Sequence, residues 1–235
     1  MASLFLGKNP FRWLAQTVKD KGPRRVLKLT WHAALDATWD FRHGTETLTR
    51  IPPQNLDTDS RNKDQATTYG ATRARPFRQL LNKLNLSRAG GFVDLGCGKG
   101  RVLLIAAQYG FRKVVGVDFS ESLCRIARNN VAVFSRRRRL ESAISIVHSD
   151  VIHYAINSDE TTFFLYDPFS AKVLTQVLNN IRQSLISNPR EIWVIYNSPA
   201  YHELMEGCGL FTEIRQFEFG GSEFCVYGNA AGPGR

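Results

Sequence analysis

An apolar run that breaks on three alternate glycines, Phe92-Val93-Asp94-Leu95-Gly96-Cys97-Gly98-Lys99-Gly100-Arg101, restricts this chain more than any other segment. Val102-Leu103-Leu104-Ile105-Ala106-Ala107 follows, with the composition of a buried helix. Strand, glycine turn and helix in that order make a cradle for a polar ligand. Glycine tolerates the sharp turn and leaves the loop's N–H groups free of Cβ bulk, and the helix adds the positive end of its dipole. Gly96 and Gly98 fit a dinucleotide fingerprint, but its last glycine would fall on Arg101, too large for close helix–strand packing, so GxGxG describes the loop better.

Three further apolar runs repeat the pattern, each leading to an acid. Val114-Val115-Gly116-Val117 ends in Asp118-Phe119, about twenty residues beyond the glycines, where a carboxylate at a strand tip reaches ribose hydroxyls. Capping of the next helix falls to Ser120. Ala143 to Val147 is followed by Asp150-Val151, and Thr161 to Tyr166 runs into Asp167-Pro168-Phe169-Ser170. A helix over 173–185, a buried strand over 191–197 and two strands flanking Gly220-Gly221 complete the pattern, the last pair reading as a β-hairpin.

Asp94 with the GxGxG loop, followed at the expected intervals by Asp118 and Asp150, resembles motif I and the downstream strands of class I S-adenosylmethionine (SAM) dependent methyltransferases, over about residues 66–228. The resemblance implies an α/β fold: a doubly wound, seven-stranded, mostly parallel sheet with a C-terminal antiparallel β-hairpin. It implies SAM as cofactor, with Asp94, Gly96, Cys97, Gly98 and Gly100 at its methionine part, Asp118 and Phe119 at the ribose, and Asp150 and Val151 at the adenine. Asp167-Pro168-Phe169 is similar to the Asp/Asn-Pro-Pro-aromatic motif of amino methyltransferases with one proline missing. It places Asp167 and Phe169 at the methyl acceptor and favours nitrogen ahead of oxygen. Tyr69, just before the first core helix over 78–85, completes this catalytic set as part of a lid over the cofactor. The wording of the loop looks like that of uncharacterised bacterial members, with a fainter likeness to the non-SET lysine methyltransferases; neither fixes a substrate. A small-molecule or protein acceptor is expected. An RNA or DNA methyltransferase and a non-catalytic SAM- or nucleotide-binding protein stand as alternatives.

The chain has 235 residues, 43% of them hydrophobic, enough for one full core. Its net charge of +10 suits an acidic partner, nucleic acid included, without selecting one. The densest cluster, Arg136 to Arg139, reads as a solvated helix end. Residues 1–65 form a basic extension with helices expected over 9–19 and 24–39 and a polar loop over 51–64. Packing on the core is expected of it ahead of peripheral contact with a membrane. Trp39 to Thr47 is read either as the border of an acceptor pocket or as a docked helix end. Residues 66–228 form the methyltransferase domain and 229–235 a flexible tail. No apolar run is long enough to span a bilayer. The four cysteines and five histidines lack metal-ligand spacing, so no metal is expected, and the thiols suit a cytoplasmic protein.

Overall fold

The computed structural model describes residues 38–51, 70–166 and 169–229, with the single positions Gly22, Pro23, Trp31 and Asp57. Its elements are α1 (Ala74–Leu84), β1 (Gly91–Leu95), α2 (Arg101–Tyr109), β2 (Lys113–Asp118), α3 (Glu121–Arg138), β3 (Ala143–His148), β4 (Glu160–Tyr166), α4 (Ala171–Ser187), β5 (Trp193–Asn197), α5 (His202–Gly207), β6 (Glu213–Phe219) and β7 (Ser222–Gly228). A short 3-10 turn over Val151–His153 follows β3.

The strands form one seven-stranded sheet in the order β3-β2-β1-β4-β5-β7-β6. The first five are parallel, because each crosses to the next through a helix or a long connection, whereas β7 runs antiparallel to both β5 and β6. The β6–β7 link is the two-residue turn Gly220-Gly221, with φ of 59° and 81°, a conformation that matches strand twist and favours glycine. Strand order reverses between β1 and β4, which places a crevice at the carboxyl edge between them.

Side chains that alternate along the strands feed two cores, one on each face. Phe92, Phe164, Phe224 and Val226 meet Phe77, Leu80 and Leu104 on one side. Their neighbours Val93, Phe163, Cys225 and Tyr227 meet Val177, Ile181 and Met205 on the other. Central β1 is buried along its whole length, as a strand covered on both faces must be, while β3 at the edge is partly exposed.

One helix differs from its expected span, and another ends in the arginine run as expected. α1 begins at Ala74, four residues earlier than expected, because Pro76 lies in its first turn, where the missing N–H has no intrahelical acceptor to serve. α3 continues into the arginine run and stops only where Arg139 turns left-handed at φ 50°, its N–H closing on Ser135 O at 2.9 Å. The arginines are exposed, as a helix end should be, yet two also meet the N-terminal segment. Arg138 Nη2 lies 3.1 Å from His43 Nε2, and the Arg137 guanidinium abuts Gly44.

That segment, helical over 38–43, is docked onto the core rather than lining an open pocket. The His43 ring stacks on Phe134 of α3 at 5.0 Å and lies 4.2 Å from Trp39. The division at residue 65 is therefore crossed by packing between residues 39–48 and α3. The expected helices over 9–19 and 24–39 and the loop over 51–64 fall almost wholly outside the described residues. No helix among the described residues is long and apolar enough to cross a membrane.

Candidate active site

Three glycines set the floor of the crevice. Gly96, Gly98 and Gly100 have φ of 87°, 52° and 83°, the left-handed region that costs an L side chain about 1–2 kcal/mol. The loop they form is sewn to the tip of β2. Gly96 and Cys97 N–H donate to Val117 O at 2.8 and 3.0 Å, and Gly98 N–H donates to Asp118 Oδ2 at 2.8 Å. Gly100 N–H turns back to Cys97 O at 2.9 Å. These four N–H groups, which the glycine pattern predicts to be free for a ligand, are instead engaged within the protein and hold the loop in shape.

Asp118 closes β2 and receives a second N–H, from Ser120, at 3.0 Å on Oδ1. Burial pushes its carboxyl up to about 6, although the N–H groups of Ser120 and Gly98 favour the charged form. Asp94, in β1 and also buried, is raised well above the usual carboxylate range by burial and by the charge of Asp118. Burial likewise raises the Cys97 thiol, with Asp118 and Asp94 adding to the effect. Two buried acids that repel each other beside a glycine loop make a site where a cation is welcome and a phosphate is not. SAM fits that chemistry. Its ammonium and sulfonium groups are cationic and its ribose diol donates to a carboxylate, whose roughly four lone-pair sites exceed the N–H groups already received.

Other expected residues have identifiable surroundings. Phe119 follows Asp118 at the strand tip, and its carbonyl lies 3.2 Å from His148 Nε2. Asp150 caps the 3-10 turn, Oδ1 accepting from Ile152 N–H at 3.2 Å, and Val151 is buried in the core that faces α4. Phe169 is partly buried against that same core. Asp167 and Tyr69 lie outside the described residues.

Several residues that sequence reasoning passed over also gather here. Arg101, the misfit in the fingerprint, is 2% exposed and bonded to Asp40 and Thr47, while Lys99 is 1% exposed and paired with Glu46. Asp57 accepts from Ser120 Oγ at 2.8 Å and from Ser122 N–H at 3.1 Å at the start of α3. Against a desolvation that raises it, the hydrogen bonds from Ser122 and Ser120 bring its carboxyl down to about 2. Asn197 ends β5 beside Tyr166 of β4, and its Oδ1 is buried without a hydrogen-bond partner. The only advance signal was a lysine and an arginine inside a loop that should be packed against the sheet.

A parallel sheet closed by an antiparallel hairpin, with an acid-rimmed glycine loop at its switch point, is a Rossmann-like arrangement whose chemistry suits SAM. Comparison with known proteins agrees. The family model described as "Histone methylation protein DOT1" matches residues 51–159. Two proteins named trans-aconitate 2-methyltransferase are similar to parts of the chain. The one from Variovorax paradoxus is 41% identical over 64 residues, covering 27% of this chain and 25% of that protein. The one from Paracidovorax citrulli is 34% identical over 95 residues, covering 40% of this chain and 33% of that protein. These matches thus span a quarter to a third of the length of those relatives. Among solved structures, a candidate O-methyltransferase of Nostoc punctiforme superposes with a TM-score of 0.52 at 15% identity, over 65% of this chain and 54% of that one. The chain therefore shares its Rossmann-like fold with that structure and is similar over part of its length to the histone-methylation family model and to named methyltransferases.

Proposed function

We propose that this chain transfers the methyl group of SAM to a nitrogen atom of a protein or small-molecule acceptor. The observation that carries the reading is the Gly98–Asp118 contact at the carboxyl edge of β1 and β2, beside the reversal of strand order. Cofactor there leaves the neighbouring ends of β4 and β5 for the acceptor. Asp118 and Phe119 serve the ribose side, Asp150 and Val151 the adenine, and Asp94 with Gly96, Cys97, Gly98 and Gly100 the methionine part. SAM supplies a methyl group already activated by its positive sulfur, so the protein's task is alignment and removal of a proton. Asp167 takes that proton, and Phe169 and Tyr69 wall the acceptor. Support for nitrogen comes from the Asp167-Pro168-Phe169 motif and from the histone-methylation family model over residues 51–159. A cytoplasmic setting is in keeping with four free thiols.

A second reading, methylation of a carboxylate oxygen, is favoured by the name trans-aconitate 2-methyltransferase and by a net charge of +10 that attracts anions. The two separate in one assay. Methyl-labelled SAM is incubated with the protein and, in parallel, a lysine-rich protein, a set of amine metabolites, small polycarboxylates or RNA. Label retained by an amine-bearing acceptor supports the proposal. Base-labile label on a polycarboxylate establishes the second reading instead, and label in RNA alone contradicts both.

A further inference from the structure

Lys99 and Arg101 sit on either side of Gly100, in the loop that holds the methionine part of SAM on the reading above. Both are almost wholly buried. Buried cations need partners, and these two find theirs more than fifty residues upstream. The Glu46 carboxylate pairs with Lys99 Nζ. Asp40 Oδ1 lies 3.3 Å from Arg101 Nη2, Arg101 Nε donates to Thr47 Oγ1 at 2.6 Å, and the Trp39 ring lies 5.1 Å from the guanidinium carbon.

The upstream segment is itself organised around Asp40. Its carboxylate accepts from Thr45 Oγ1 at 2.8 Å, Thr47 N–H at 2.8 Å, Thr47 Oγ1 at 2.7 Å and Leu48 N–H at 3.1 Å. Asn130 of α3 then joins the three parts. Its Nδ2 donates to Glu46 O and Lys99 O, each at 3.0 Å, and its Oδ1 accepts from Glu46 N–H at 2.9 Å. One buried amide therefore bridges the segment, the glycine loop and the helix behind it.

We infer that residues 39–48 are a working part of the cofactor site: Lys99 and Arg101 are positioning residues through which docking of this segment and binding of SAM favour each other. The inference rests on the reading of the loop as a SAM site. Linkage is reciprocal, so a ligand that fixes the loop must tighten the segment by the same factor that the segment tightens the ligand.

The test uses the full chain and S-adenosylhomocysteine, the demethylated product, as probe. Amide exchange is followed with and without saturating probe, and calorimetry compares the wild type with Glu46→Gln, which removes a partly exposed charge, and with Glu46→Asp, which keeps it. Exchange should slow in residues 39–48 as well as in 96–100, and Glu46→Gln should weaken binding about fivefold, with Glu46→Asp recovering part of the loss. A purely structural segment would show the same exchange with and without probe and the same affinity in Glu46→Gln, and that result overturns the inference. A wild-type chain that does not bind the probe overturns the SAM reading itself, and this inference with it.

Discussion

Gly98 and Asp118, twenty residues apart in sequence, meet at the carboxyl edge of the sheet, where the glycine N–H donates to the carboxylate at 2.8 Å. This contact fixes the loop after β1 to the tip of β2 and gives the buried acid one of its few favourable partners. Burial of that acid, which the contact only partly offsets, makes the site sensitive to pH.

Asp118 has a carboxyl raised from 3.8 to about 6 by burial, so its contribution to stability is present below pH 3.8 and is lost as pH rises through about 6. A displacement of that size corresponds to about 3 kcal/mol. Asp94, raised in the same direction, adds to the trend. Urea unfolding of the free protein at pH 5 and pH 7 should therefore show a loss of stability with rising pH that is smaller in Asp118→Asn. An equal loss in both proteins would mean that the carboxyl titrates normally.

Gly100 tests the shape of the loop. At φ 83° an added Cβ is strained and would lie 3.3 Å from Ala127 Cβ. Gly100→Ala is expected to destabilise the protein by about 2 kcal/mol in chemical denaturation. A change within error would mean that the loop has another conformation available at no cost.

Phe77 tests how α1 is attached. Its fully buried ring meets Phe164 edge-on at 4.9 Å and lies 6.4 and 6.5 Å from Phe92 and Phe224, linking the helix to three strands. Phe77→Ala should cost about 3–5 kcal/mol in the same measurement. A cost below about 1 kcal/mol would place α1 off the main core.

Much of this architecture was legible because its signals are local. The GxGxG spacing, the apolar runs of β1, β2 and β4 and the Gly220-Gly221 turn each follow from short-range rules, and the sheet follows from them in order. One helix start was less legible, since Pro76 looks like a boundary until it is placed in a first turn, whereas the arginine run reads as the helix end that it proves to be. The lock on the glycine loop was hidden for a different reason. Nothing local distinguishes Asp40, Glu46 or Asn130 from other polar residues, and their partners Arg101 and Lys99 are distant in sequence. Buried charge is recognisable only when both members of a pair are seen together.

The most direct measurement is calorimetric titration of the full chain with SAM at pH 7, beside Asp118→Ala. The account predicts one site per chain in the wild type and, for loss of a charged acceptor of ribose hydroxyls, an affinity lowered about tenfold or more in the variant. Undetectable binding by the wild-type chain, or equal binding by both proteins, would contradict it.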